Sequence, residues 1–348
     1  MEGQTENPYD YKTQLQNISK MENPTIEELM IYLQSQEPVI LVAAINKIPL
    51  TPINPDYKDG ITSLYLHTDI GVRCAVLSIL PSIMDFVTAV EMVKHILLVD
   101  KSTDVILTAL YSLQRLLENN QLTVEIFLEF VEIIVGFINH KEWRIRACIQ
   151  LLVVDIVSFM GSEIIAGIVK RESNEFINII IKIFKRGLED SCLEVRKQTV
   201  DSIADLVEIY NNLKEKVIDE NQKVRRLGDD FGEIFIFPLI YMYSTHPNYK
   251  IRQSIISAMV EIGVTMTNET LKAVFLPMIL NYAFDLTANV RLTLVDQLYN
   301  LVLFKQPENL DEDTIESRIL PCIQFLLKDS DSDVVEYATR FINAYNGD

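Results

Sequence analysis

Glycine and proline are scarce, at 11 and 12 positions in 348 residues. Tight bends between short strands depend on both, so long helices are favoured over a turn-rich sheet. Histidine and cysteine are scarcer, at four each, and tryptophan occurs once, as Trp143. Cys74, Cys148, Cys192 and Cys322 lie far apart without a C-x-x-C pair. Their spacing offers no zinc site, and they are expected to be reduced core thiols. His67, His95, His140 and His246 are isolated, with neither an H-E-x-x-H motif nor a His-Glu dipeptide. Metal hydrolysis and di-iron chemistry therefore lack a ligand pattern. The glycines form no G-x-x-x-x-G-K or G-x-G-x-x-G loop, so nucleotide binding is unsupported and no cofactor is expected.

Positive charge is short as well: 31 Lys and Arg stand against 49 Asp and Glu, for a net charge of −18. Nucleic acids and anionic membranes are gripped by clustered cations, so neither is an expected partner, and a DNA glycosylase is disfavoured. The uncharged run 234–249 contains Pro238 and is short for a membrane span. The first residues show neither the basic start nor the apolar stretch of a signal peptide. These features predict a cytoplasmic protein, with the nucleus as a further location. Acid pairs such as Glu189-Asp190 and the Asp311-Glu312-Asp313 run suit solvated turns better than acid–base catalysis.

What is abundant is apolar: 49% of residues are hydrophobic, which favours long helices around a core. A short pattern recurs, in which an acidic turn is followed by Val-Arg or Ile-Arg at the head of an amphipathic helix. It appears in "TDIGVRCAVLSIL", "KEWRIRACIQLL", "EDSCLEVRKQTVDSI", "HPNYKIRQSIISAM" and "FDLTANVRLTLVDQL". Weaker copies are "QEPVILVAAINKI", "DKSTDVILTALYSL" and "KDSDSDVVEYATRF". With Ile40, Arg73, Ile106, Arg146, Arg196, Arg252, Arg291 and Val335 as equivalents, most steps fall within roughly 33 to 47 residues, the range of helical repeats. Insertions at 161–176 and 211–233 account for the longer steps, and the second is expected to be a flexible surface loop. Thr25 and Glu28 have capping-box spacing, so helix should begin near Thr25 behind a flexible tail, residues 1–24.

One helix pair cannot bury its own apolar stripe, so such pairs stack. The predicted fold is all-α, an α-α superhelix of about eight helix pairs forming a single solenoid over 25–348. The pattern resembles HEAT repeats, in which an aspartate ends the first helix region and an arginine begins the second. That resemblance implies a hydrogen-bonded ladder between adjacent turns for Asp69, Arg73, Arg146, Asp190, Arg196, Arg252, Asp285 and Arg291. Ligand binding is the other role open to these arginines.

From Trp143 to Tyr345 the order of repeats is similar to the carboxy-terminal part of the protein phosphatase 2A scaffold subunit. The Trp-Arg pair, the Pro-Asn-Tyr turn, the Ala-Asn-Val-Arg turn and the acidic last turn carry the likeness. The opening "IEELMIYLQSQEPVILVAAINKI" is similar to that family's first repeat. Central repeats are missing relative to the family. The resemblance implies a non-catalytic scaffold that docks a serine/threonine phosphatase catalytic subunit through the intra-repeat turns of 143–345. A regulatory B-type subunit is a further partner in the family, but its Val-Arg-Arg turn has no counterpart here; Val224-Arg225-Arg226 lies in an insertion.

Contact candidates on those turns are Trp143 and Arg144, then Asn248, Tyr249, Asn289, Asp331 and Asp333. Trp143 either covers its own repeat or meets a partner, and an exposed Trp-Arg pair is typical of interface hot spots. The rival functions are an adaptor holding a peptide in its concave groove, and an enzyme built on the same repeat.

Overall fold

Helix starts are written into the turns as side-chain caps. Thr25 accepts the Glu28 N–H while Glu28 accepts the Thr25 N–H, completing the expected capping box. Asp69, Asp85 and Asp331 each accept an N–H from the first turn they precede. The computed structural model describes residues 10–48, 55–118, 124–159, 174–212, 216–218, 224–226, 236–267, 270–305 and 310–347.

The chain divides into two compact units, Met1–Cys148 and Ile149–Asp348. In the first, α1 (Tyr11–Lys20) precedes the pairs α2 (Ile26–Leu33) with α3 (Pro38–Ile45), α4 (Pro55–Thr62) with α5 (Ile70–Ile83), and α6 (Phe86–Val99) with α7 (Thr103–Glu118). Helix α8 (Val124–Phe137) follows, and the boundary falls inside α9 (Trp143–Phe159). In the second unit the pairs are α10 (Asn174–Leu188) with α11 (Leu193–Asn212), α12 (Phe237–Ser244) with α13 (Tyr249–Thr265), α14 (Leu276–Asn281) with α15 (Ala288–Tyr299), and α16 (Leu320–Leu326) with α17 (Ser332–Asn346).

Second helices pack on second helices: α3 on α5 on α7 in one unit, and α11 on α13 on α15 on α17 in the other. The apolar spacing explains this. Helix α13 buries Ile251, Ile255, Met259 and Ile262, and α15 buries Val290, Leu294 and Leu298, each set on one helical face. Each such side chain contributes about 1.5–3 kcal/mol on burial, which the isolated pair could not realise.

Two local conflicts are resolved across repeats. Pro81, inside α5, cannot donate to the Leu77 carbonyl four residues earlier. The Ser112 hydroxyl of α7 donates to Leu77 O at 2.6 Å instead, and Arg115 Nη1 donates to Ser78 O at 2.7 Å. At Gly187 of α10 an added Cβ would collide with Thr199 of α11 and with Gln150, at 2.7 Å from its Oε1, so this contact tolerates only hydrogen.

Two expectations need correction. The tail expected to extend to residue 24 contains α1, whose Ile18 is buried and which packs on α3. Within the insertion at 211–233, Lys216–Ile218 (β1) pairs antiparallel with Val224–Arg226 (β2), Val217 opposite Arg225, where a flexible loop was expected. The insertion at 161–176 lies outside the described residues up to 173, and Asn174 already opens α10.

Candidate functional site

The intra-repeat turns share one construction. The residue six before each signature arginine offers its carbonyl to that arginine's Nη1: His67 to Arg73, His140 to Arg146, His246 to Arg252 and Asp285 to Arg291 at 2.7 Å, and Asp190 to Arg196 at 2.8 Å. Its side chain also accepts the N–H two residues on. Aspartate does this at Asp100, Asp190, Asp285 and Asp329, at 2.8–2.9 Å. Histidine does it through Nδ1 at His67, His140 and His246, at 3.0–3.1 Å. An imidazole nitrogen that accepts this bond carries no proton itself.

Aspartate at this position does a second job that histidine cannot. Arg73 Nε and Nη2 grip Asp100 at 2.7 and 3.3 Å, Arg252 grips Asp285 at 2.7 and 2.8 Å, and Arg291 grips Asp329 at 2.6 and 2.7 Å. These forked pairs cross from one repeat to the next and link adjacent turns as a ladder. Asp69 faces no rung; its Oδ1 caps α5 at Val72 N, 3.1 Å away. Asp100 and Asp329 take rung positions that the sequence did not single out. Asp285 serves both ends, giving its carbonyl to Arg291 and its carboxylate to Arg252. Arg146 is buried, with further donation to Lys141 O at 3.2 Å.

Burial works to raise the Asp285 carboxyl, but the hydrogen bonds from Arg252 and Thr287 outweigh it and hold the group below the ordinary aspartate value. The Arg291 hydrogen bonds hold Asp329 below it too. Arg196 differs. Its Nε donates to Ser254 Oγ at 3.3 Å, and the following turn presents His246 where the other rungs have aspartate.

The contact candidates divide by duty. Trp143 opens α9 and is 40% exposed. Arg144 beside it pairs with Glu142 at 3.2 Å and with Asp104 at 4.0 Å, exposed pairs that add little stability. Asn248 and Asp331 are helix caps, accepting from Lys250 N and from Asp333 and Val334 N, so their side chains are engaged within the chain. Tyr249 is half-buried, while Asn289 and Asp333 are exposed. Trp143 and Arg144 belong to the first unit and the other five to the second.

The second unit also exposes apolar side chains that sequence reasoning missed. Leu286 is 99% exposed, Phe284 69% and Phe325 52%, and the two phenylalanine rings lie 5.1 Å apart between centroids. The available signal was large apolar residues flanking Asp285, at positions neither helical stripe requires. Between the second helices α11, α13 and α15 lies a polar cleft of about 440 Å³, lined by Arg196, Lys250, Gln253, Glu261 and Asp296 among others.

Among the described residues, no group of three or more His, Cys, Asp or Glu is placed to hold a metal ion. No described helix is long and apolar enough to cross a membrane. Among the described residues no cysteine is in a disulfide and all four are half-buried, and burial pushes the Cys322 thiol up to about 11, away from nucleophilic use.

No protein-family model matches the chain, and no curated protein does. It is similar to solved helical structures at low identity. Cex1p is 14% identical, with 96% of this chain and 53% of that one covered and a TM-score of 0.44. A chain of the Kap95p–RanGDP complex is 12% identical, with 92% and 47% covered and a TM-score of 0.49. An engineered protein is 14% identical, with 85% and 98% covered and a TM-score of 0.36. On its own stacked helix pairs and their arginine rungs, the chain is an all-α helical-repeat protein of the solenoid class.

Proposed function

We propose that this chain is a non-catalytic interaction scaffold that docks the catalytic subunit of a serine/threonine protein phosphatase through its intra-repeat turns. The observation that carries this reading is the exposed apolar set Phe284, Leu286 and Phe325, on or beside turns whose polar groups are already engaged in caps and rungs. Exposed aromatic and leucine side chains cost solvation unless a partner covers them. The sequence likeness to the phosphatase 2A scaffold spans these same repeats and supplies the partner's identity. The mechanism is positional: a protein that holds an enzyme next to a substrate-selecting partner raises their effective concentration. A B-type regulatory subunit is the further partner of this reading.

Affinity capture of the native protein with mass spectrometry tests it. A phosphatase catalytic subunit is expected among the captured proteins and should be lost with Leu286→Glu and Phe325→Glu together. Replacing Trp143 and Arg144 by alanine should weaken capture as well. Capture without any phosphatase would overturn the reading.

A further inference from the structure

Arg196 is 4% exposed, yet no carboxylate lies within ion-pair distance of its guanidinium among the described residues. Its equivalents Arg73, Arg252 and Arg291 each hold one, at 2.6–2.7 Å. The difference originates at residue 246, where histidine keeps the turn bond to Asn248 N but brings no negative charge. A guanidinium withdrawn from water without a counter-charge is costly, and an anion beside it recovers that cost.

Arg196 lines the cleft of about 440 Å³ between α11, α13 and α15, a volume in the range of ligand pockets. Lys197 and Lys250 line it too, from the first turns of α11 and α13. Three cations from two helices are notable in a chain of net charge −18. Asp201, Glu261 and Asp296 line it from later turns of α11, α13 and α15. Matching turns face one another across the stack, since Gln253 Nε2 donates to Asn289 O and Thr293 Oγ1 at 3.0 and 2.7 Å. The cleft is therefore cationic toward the helix starts and anionic further along.

We propose that this cleft binds a peptide segment of a partner protein, with an oxyanion, carboxylate or phosphate, against Arg196, Lys197 and Lys250, and a cationic side chain against Asp201 and Asp296, Glu261 being held by Lys305 at 2.6 Å. The site lies on second-helix residues and does not depend on the phosphatase reading. The oxyanion completes on the partner the rung that His246 leaves without an acid. A forked guanidinium suits either anion, and the carboxylates behind it favour a ligand of mixed charge over a free anion.

Calorimetry on the full chain tests this with three acetylated, amidated tripeptides, phosphoserine-glycine-lysine, glutamate-glycine-lysine and serine-glycine-lysine, and with inorganic phosphate. Saturable binding of the first or second is expected, and whichever binds tighter identifies the anion. Two variants should weaken it at least fivefold. His246→Asp supplies the missing carboxylate from within, so it should occupy Arg196 and also raise the melting temperature. Lys197→Gln with Lys250→Gln removes exposed cations without touching the core. A smaller loss in both variants, or no saturable binding to the wild type, overturns the proposal. So does equal binding of the serine peptide, or of inorganic phosphate alone.

Discussion

The Ser112 hydroxyl is 2% exposed and donates to the Leu77 carbonyl that Pro81 leaves without its helical donor. Ser112→Ala should therefore cost about 1–3 kcal/mol, the penalty of a buried carbonyl without a partner. Adding Pro81→Ala returns an N–H to α5, so the double variant should be more stable than Ser112→Ala alone in urea unfolding. The rung acids make a second case. Asp285 and Asp329 titrate lower in the fold than in the unfolded chain, where aspartate sits near about 3.9. Their stabilisation is complete above the unfolded value and is lost as pH falls through the lower, folded one. Urea midpoints should drop as pH falls below about 4, and Asp285→Asn should shift the midpoint near neutrality while flattening that acid slope. Removing one partner of so enclosed a pair should cost about 3 kcal/mol.

Helix against helix, Gly187 has the closest surroundings of the described glycines. Alanine there has to displace Thr199 or Gln150, both buried, so Gly187→Ala should destabilise by about 1–3 kcal/mol despite its better helix propensity. A melting temperature at or above wild type would show that α10 and α11 part without cost. The helices themselves were legible in the sequence, because the apolar period, the Thr25 capping box and the Val-Arg starts are set by bonds within four residues. Helix α1 was missed because its stripe is short: Ile18 alone is buried in it. The β1–β2 pair was missed because charged residues dominate its segment and only six residues form the ladder.

Across the whole chain, stability in a repeat array is a sum of units and their nearest-neighbour interfaces. Loosening the rung between Arg252 and Asp285 should therefore be felt locally. In Asp285→Asn, amide hydrogen exchange should quicken in α13 and α15 while α5 and α7, in the other unit, keep their protection. Equal acceleration in both units would mean that they open together. The candidate surfaces follow the same division: a Trp-Arg turn in one unit, an apolar turn set and a dipolar cleft in the other.

Repeat number, helix pairing, arginine positions and the lack of metal or nucleotide motifs follow from residue order alone, because each depends on periodicity or on local spacing. Partnership across repeats does not. Arg73 takes Asp100 and not Asp69, Arg291 takes Asp329, and Arg196 goes without an acid because position 246 is histidine. Those choices belong to the stacking, which brings residues 27 to 38 positions apart into hydrogen-bond range. The same stacking turns Phe284 and Leu286 outward. Contact between distant segments depends on how one helix pair lies on the next, and that geometry is decided by packed volumes that no spacing rule encodes.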